Sequence, residues 1–273
     1  MYYVKSKMNE VLEIAIKASL SAGREILKIY NNPAEDFGIE RKSDNSPLTK
    51  ADKASHKIIM EALNPTNIPI LSEEGAKIPY SERKNWSKLW IVDPLDGTKE
   101  FIKKNGEFTV NIALVENNTP IAGVIYVPVL ETLYWGAVGY GAYKLQGVNI
   151  ENYTDIQTSL EKATKLPVQK EELPYIIVAS RSHMSPETAE YIDQLRRMYP
   201  AIGMTSVGSS IKICLVGEGS ADIYPRFAPT MEWDTAAGHA IVKAAGKEVY
   251  QRDEKTPLTY NKENLLNPWF IVK

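Results

Sequence analysis

The chain has 273 residues, 44% of them hydrophobic, enough for one large domain or two compact ones with a buried core. Lys and Arg number 32 against 34 Asp and Glu, a formal charge of -2, which excludes a general attraction for nucleic acid or an anionic membrane. One cysteine, Cys214, excludes an internal disulfide and makes no zinc site alone; its apolar neighbours Ile213, Leu215 and Val216 predict a core position. The sequence shows no signal-peptide core and no apolar stretch long enough to cross a bilayer, so the cytoplasm is the expected compartment.

From 7 to 30, Met8, Val11, Leu12, Ala15, Ala22, Ile26 and Leu27 recur at helical spacing, and Asn31-Asn32-Pro33 ends that helix. A polar stretch through Ser46 reads as a loop or mobile hairpin. A second helix fits 50–63, with Ile58, Ile59 and Ala62 inward and Asp52 in its first turn, before Asn64-Pro65. The segments 68–71 and 89–92 are buried strands running directly into acidic residues. Alternation at Val110, Ile112 and Leu114, the Asn117-Asn118 turn, and the runs 121–126, 132–135 and 142–145 predict an antiparallel meander. The polar interval 152–174 marks a junction between a first unit, 1–150, rich in strands, and a second, 175–273. In the second, strands at 175–179 and 221–224 alternate with helices at 186–198, 210–216 and 235–245, an α/β arrangement.

The densest chemical signal is Asp93-Pro94-Leu95-Asp96-Gly97-Thr98 at the end of a hydrophobic strand. Pro94 and Gly97 shape a tight bend that brings two carboxylates toward one spot and turns main-chain amides toward an anion. Carboxylates that close repel unless a cation lies between them, and magnesium prefers such oxygen ligands. Asp-Pro and Asp-Gly are also ordinary turn dipeptides. The spacing Asp-x-x-Asp-Gly-Thr is one residue longer than the Asp-x-Asp-Gly-Thr of aspartate-nucleophile phosphatases, which argues for metal ligation rather than an aspartyl-phosphate. Ser72-Glu73-Glu74 follows another strand, and Trp233-Asp234-Thr235-Ala236-Ala237-Gly238 opens a helix. Alone, each reads as a solvated acidic pair or a helix cap.

Together, in order, Asp52, Glu73-Glu74, Asp93 to Thr98 and Trp233 to Gly238 resemble the inositol monophosphatase superfamily of lithium-sensitive, magnesium-dependent phosphatases. The resemblance spans nearly the whole chain. Ser46-Pro47-Leu48-Thr49-Lys50-Ala51-Asp52, Lys99-Glu100-Phe101 and Tyr224-Pro225-Arg226-Phe227 are most similar to its bisphosphate nucleotidase branch. It implies a layered α/β/α/β/α sugar-phosphatase fold with two sub-domains and the site at their junction.

The resemblance also implies roles. Glu73, Asp93 and the Leu95 carbonyl would hold one magnesium, and Asp93, Asp96 and Asp234 a second, with a third, weaker ion by Glu73. Asp52 with Thr98 would activate water, and the amides of Gly97 and Thr98 would bind phosphate. His183, Ser209, Lys212 and Arg226 would contact the nucleotide, the two cations offering charge-assisted donors to a second phosphate. The implied reaction is hydrolysis of 3′-phosphoadenosine 5′-phosphate to AMP and phosphate. An inositol- or sugar-phosphate phosphatase is the nearest rival, and a silent phosphate- or metal-binding protein of the same fold a more distant one.

Overall fold

A computed structural model describes residues 2–32, 36–42, 46–75, 77–169, 174–179 and 184–273, with residues 2–6 as backbone alone. The first helix, α1 (Tyr2–Asn31), runs along one side of the molecule. A short antiparallel pair, β1 (Glu40–Arg41) and β2 (Pro47–Leu48), leads into α2 (Lys50–Leu63), whose bounds are those the sequence predicts. Then come β3 (Ile70–Ser72), α3 (Tyr80–Arg83), β4 (Lys88–Asp96) and the one-turn α4 (Thr98–Ile102).

The expected meander follows as β5 (Thr109–Glu116), β6 (Thr119–Val127), β7 (Thr132–Ala137) and β8 (Gly141–Gln146). Asn117 and Asn118, both left-handed at φ 48° and 62°, make the β5–β6 turn. The interval 152–174 holds more order than its polarity predicts. It contains α5 (Ile156–Lys162), N-capped by Asp155, and β9 (Thr164–Leu166), which completes a seven-stranded sheet in the order β3 to β9. All neighbours in that sheet are antiparallel except β3 and β4.

Beyond it lie β10 (Tyr175–Val178), α6 (Pro186–Met198), β11 (Ile202–Thr205), α7 (Ile211–Glu218), β12 (Tyr224–Arg226), α8 (Glu232–Ala244), β13 (Val249–Gln251) and β14 (Phe270–Val272). Pairs β10–β11 and β12–β14–β13 adjoin through a single bridge, Ile177 to Ile223. Pro225, two residues on and so facing the same neighbour, has no N–H with which to extend that pairing.

Among the described residues, eight helices and these sheets stack as α/β/α/β/α, the architecture expected. One core joins α1 and α2 to a face of the large sheet through Leu12, Ile16, Trp90, Ile112 and Trp135. A second core, including Cys214, packs α7 and α8 between that sheet and the small one, and a third seats α6 under the small sheet. The approach of α8 is close: a Cβ on Gly123 of β6 would lie 2.3 Å from the Ala237 carbonyl oxygen, so only glycine fits there. No helix among the described residues is long and apolar enough to cross a membrane.

On α8, the fully buried His239 has Nδ1 2.9 Å from the Tyr260 hydroxyl, and its Nε2 contacts Glu248. Burial holds its pKa below the ordinary 6.5, the Glu248 carboxylate opposing the shift. Because the unfolded chain takes up that proton more readily, folding stability is lost as pH falls through 6.5. Melting curves at pH 7.5 and 5.5 in magnesium are expected to show a drop for the native protein that is smaller for His239→Asn; equal drops would remove His239 from the effect.

Candidate active site

Three elements deliver carboxylates to one end of the large sheet. Parallel pairing sets Ser72 beside Val92, so Glu73, whose N–H donates to the Val92 carbonyl at 3.1 Å, emerges next to Asp93. On β4 the register with β5 breaks between Asp93 and Asp96, and the bulge turns both toward the same side. Asp93 is buried, and its Oδ1 accepts from the Leu95 N–H at 3.1 Å. Asp234 lies inside the first turn of α8, which starts at Glu232 rather than at 235, and its Oδ2 accepts from the Met231 N–H at 2.8 Å. That turn is pinned from below: Glu232 accepts from the N–H groups of Asn261 and Lys262, and Asn267 Nδ2 donates to the Met231 carbonyl at 2.7 Å.

One carboxylate oxygen from each of Asp93, Asp96 and Asp234 lies within 4.8 Å of the others, a set that could hold a metal ion. Burial raises Asp93 well above the usual carboxylate range, and the charges of Glu73, Asp96 and Asp234 add to it. Asp234 is raised likewise, by burial and by Asp96. Burial also raises Glu73, against the pull of Lys42. Lys42 spans Glu73, at 2.7 Å, and Glu74. Burial alone would lower the Lys42 pKa, yet the two carboxylates hold it above its usual value. An all-oxygen set whose members repel in a buried place is electrostatically incomplete, and a bound cation would complete it.

Asp52 occupies the third position of α2 and is 1% exposed. Its Oδ2 accepts from the N–H and hydroxyl of Thr49, at 2.8 and 2.5 Å, and its Oδ1 from the Thr98 hydroxyl at 3.1 Å. The bond from the Thr49 N–H, with the return bond from the Asp52 N–H to the Thr49 hydroxyl, forms the capping box of α2, so the helix-cap reading holds for its geometry while the same carboxylate also meets Thr98. Burial raises its pKa, with the Thr49 bonds opposing. Ser55 on the same helix donates to the Pro94 carbonyl at 2.6 Å, tying α2 to the β4 bulge. Thr98 Oγ1 also lies 3.4 Å from the Leu95 carbonyl. Gly97, at φ 94°, makes the bend between them, and a side chain there would press on the Glu107 carbonyl and Ser209. Phe101, buried against Tyr30, Phe37 and Phe108, anchors the one-turn α4.

A cleft opens beside these groups, lined by Asp96, Gly97, Ser209, Lys212, Arg226 and Asp234 among others. Lys212 is largely buried, donates to the Val207 carbonyl at 3.1 Å and lies over the Tyr224 ring. Arg226 donates to the Pro229 carbonyl at 3.2 Å. Two buried polar atoms in this wall, Ser209 Oγ and Arg226 Nε, find no hydrogen-bond partner among the described residues. His183 lies outside the described residues. The fold therefore gathers Asp52, Glu73, Asp93, Leu95, Asp96, Gly97, Thr98 and Asp234 at one end of the sheet, with Ser209, Lys212 and Arg226 alongside.

Sequence reasoning passed over Lys42, Thr49, Ser55, Asn111 and Ser210 as individuals. For Thr49 a signal existed, the Thr-x-x-Asp spacing of a capping box. The other four act across long sequence separations and leave no local trace.

This layered fold with its carboxylate cluster belongs to the sugar-phosphatase class, and the chain is a member of the inositol monophosphatase family, which matches residues 7–268. The cluster fits the metal dependence general in that family. The chain is 44% identical over 264 residues to the 3′(2′),5′-bisphosphate nucleotidase CysQ of Salmonella typhimurium, covering 96% of this chain and 99% of that protein. It is 43% identical over 265 residues to the CysQ of Escherichia coli K12, with the same coverage. The crystal structure of CysQ from Bacteroides thetaiotaomicron, a bacterial member of the inositol monophosphatase family, superposes with a TM-score of 0.88 at 57% identity, covering 95% of each chain.

Proposed function

We propose that the protein is a magnesium-dependent phosphomonoesterase that hydrolyses 3′-phosphoadenosine 5′-phosphate to AMP and phosphate, working in the cytoplasm. The observation that carries this reading is one cleft wall bearing Asp96 and Asp234 together with the cations Lys212 and Arg226. Likeness to relatives named as bisphosphate nucleotidases supports it. The reading assigns the catalytic core to 1–150 and recognition to 175–273, with Asp234 reaching across.

The reading places two or three magnesium ions on these oxygen donors, with the Asp93, Asp96 and Asp234 cluster in support. Glu73, Asp93 and the Leu95 carbonyl would hold one, Asp93, Asp96 and Asp234 another, and the Glu73 region a third. When bound, magnesium supplies positive charge against the phosphate oxygens and the departing alkoxide.

Thr98 donates its proton to Asp52 Oδ1, which leaves the Thr98 oxygen free to accept from a water. As that water attacks phosphorus, its proton passes to Thr98 Oγ1 and the Thr98 proton to Asp52. A carboxyl whose pKa burial has raised is a better base than a solvated one. In this reading the Gly97 and Thr98 amides would take the phosphate oxygens as fixed donors. The P–O bond to the 3′ oxygen breaks as the new one forms, and the 3′ alkoxide takes a proton from solvent water to give the hydroxyl of AMP.

Phosphate release from 3′-phosphoadenosine 5′-phosphate, AMP, inositol-1-phosphate and fructose-1,6-bisphosphate, with and without magnesium, tests the reading. Preference for the first, only with magnesium, is the expected result. An equal rate on inositol-1-phosphate would favour the sugar-phosphate reading, and no release from any would leave a silent binder.

In this reading Lys212, Arg226 and Ser209 take the nucleotide, with His183 as a further contact, and Arg226 Nε and Ser209 Oγ gain in the ligand the partners they lack among the described residues. Arg226→Ala is expected to remove a charge-assisted contact worth about 1.5–3 kcal/mol. That is roughly a tenfold to hundredfold rise in KM for the bisphosphate. Turnover of a small monophosphate, lacking the second group, is expected to be unchanged. Equal loss on both substrates would make Arg226 a support of the fold instead.

A further inference from the structure

Ser210 sits where three parts of the site meet. It immediately precedes α7 and is 3% exposed. Its hydroxyl oxygen lies 2.6 Å from Asp96 Oδ2 and 2.7 Å from the Asp234 carbonyl oxygen. Asn111, buried on β5, donates to the same oxygen through Nδ2 at 2.9 Å. Asn111 Oδ1 in turn accepts the Thr109 hydroxyl proton at 2.8 Å.

The direction of this chain follows from the acceptors. The Asp96 carboxylate and the Asp234 carbonyl can only accept, so Ser210 spends its proton on them and accepts from the Asn111 NH2, whose oxygen end then takes the Thr109 proton. The single Ser210 proton then has two acceptors, the Asp96 carboxylate and the Asp234 carbonyl. With Oδ2 of Asp96 engaged, that carboxylate is held in one orientation and its other oxygen is left for a cation. The Asp234 carbonyl belongs to the first turn of α8, so the same hydroxyl also fixes the separation of the two carboxylate-bearing elements. Ser210 lines the cleft together with its chain neighbours Ser209 and Lys212.

We infer that Ser210 is a positioning residue of the metal centre: its hydroxyl, oriented by Asn111, holds Asp96 and the turn carrying Asp234 in the arrangement that takes the cation. This rests on reading the carboxylates as metal ligands. It extends that reading to a group that acts on the cation through Asp96 and the Asp234 turn. Partners of this outer kind typically set metal affinity by about 10–100-fold.

Manganese binding to the full chain, followed by electron paramagnetic resonance without substrate, separates the possibilities. Ser210→Ala is expected to bind manganese about tenfold more weakly while its circular dichroism stays native, and Ser210→Thr, which keeps the hydroxyl, to stay within about threefold of native. Asn111→Ala is expected to weaken binding too, and the double variant to be no weaker than Ser210→Ala, because Asn111 acts through Ser210. Native affinity in folded Ser210→Ala, or an equal loss in the Thr variant, would overturn the inference. If Ser210→Ala does not fold, native affinity in Asn111→Ala does so. A native protein that binds no manganese would instead overturn the metal reading beneath it, whichever phosphate the enzyme prefers.

Discussion

Replacing Asp93 with asparagine is expected to abolish phosphate release while leaving the fold intact. Asp93 is the carboxylate both proposed ion positions share, and an amide cannot supply its bridging charge. Outer partners of a metal ligand are typically worth about 10–100-fold, so loss of the ligand itself should exceed ~100-fold in kcat/KM. The same residue carries a stability signature of opposite sign. Its folded pKa is raised above the unfolded 3.8, so the metal-free protein loses stability as pH rises through that window, and a neutral side chain relieves the repulsion. Metal-free Asp93→Asn is therefore expected to melt no lower than the native protein at pH 7.5. Magnesium at a hundredfold excess over its dissociation constant stabilises a native site by about 2.7 kcal/mol, and that gain should vanish in the variant. A folded variant that keeps near-native activity and the magnesium gain would end the two-ion assignment.

Asp52→Asn should act on the chemical step alone. The amide can still accept one bond from Thr49, so the start of α2 survives, but it cannot take a proton from Thr98. General-base assistance is typically worth about 10²–10⁴-fold, so kcat is expected to fall by roughly that much with KM little changed. Steady-state kinetics with magnesium held saturating reads both constants. A change confined to KM would move Asp52 out of the proton relay and leave it as the cap of its helix.

Much of this site was legible because its carboxylates sit at element ends, where composition changes abruptly. The apolar runs before Glu73 and Asp93 are continuous, the Pro-Leu-Asp-Gly bend carries its own backbone logic, and the small residues after Asp234 mark a helix packed tightly. The bounds of α2 and the left-handed Asn117-Asn118 turn followed from local signals of the same kind.

What stayed hidden depends on distant partners. At three residues, β9 and β14 are too short for periodicity to register, and β14 becomes a central strand only because β12 and β13 come to it from elsewhere in the chain. The parallel pairing that sets Glu73 beside Asp93, the reach of Lys42 to Glu73 and Glu74, and the Asn111–Ser210 contact are likewise products of assembly. In α8 the first turn begins at Glu232 because Asn261, Lys262 and Asn267 anchor it, which no pattern within the helix announces.

The contact of Gly123 with α8 bears on how such a protein changes over time. Because backbone meets backbone there, the large sheet sets how close α8 lies, while Ser210 and Asn267 hold only the turn at its start. Lys212, Tyr224 and Arg226 stand on segments outside that contact. If Lys212 and Arg226 choose the phosphate ester as proposed, exchanging them would alter that choice without moving the helix that carries Asp234.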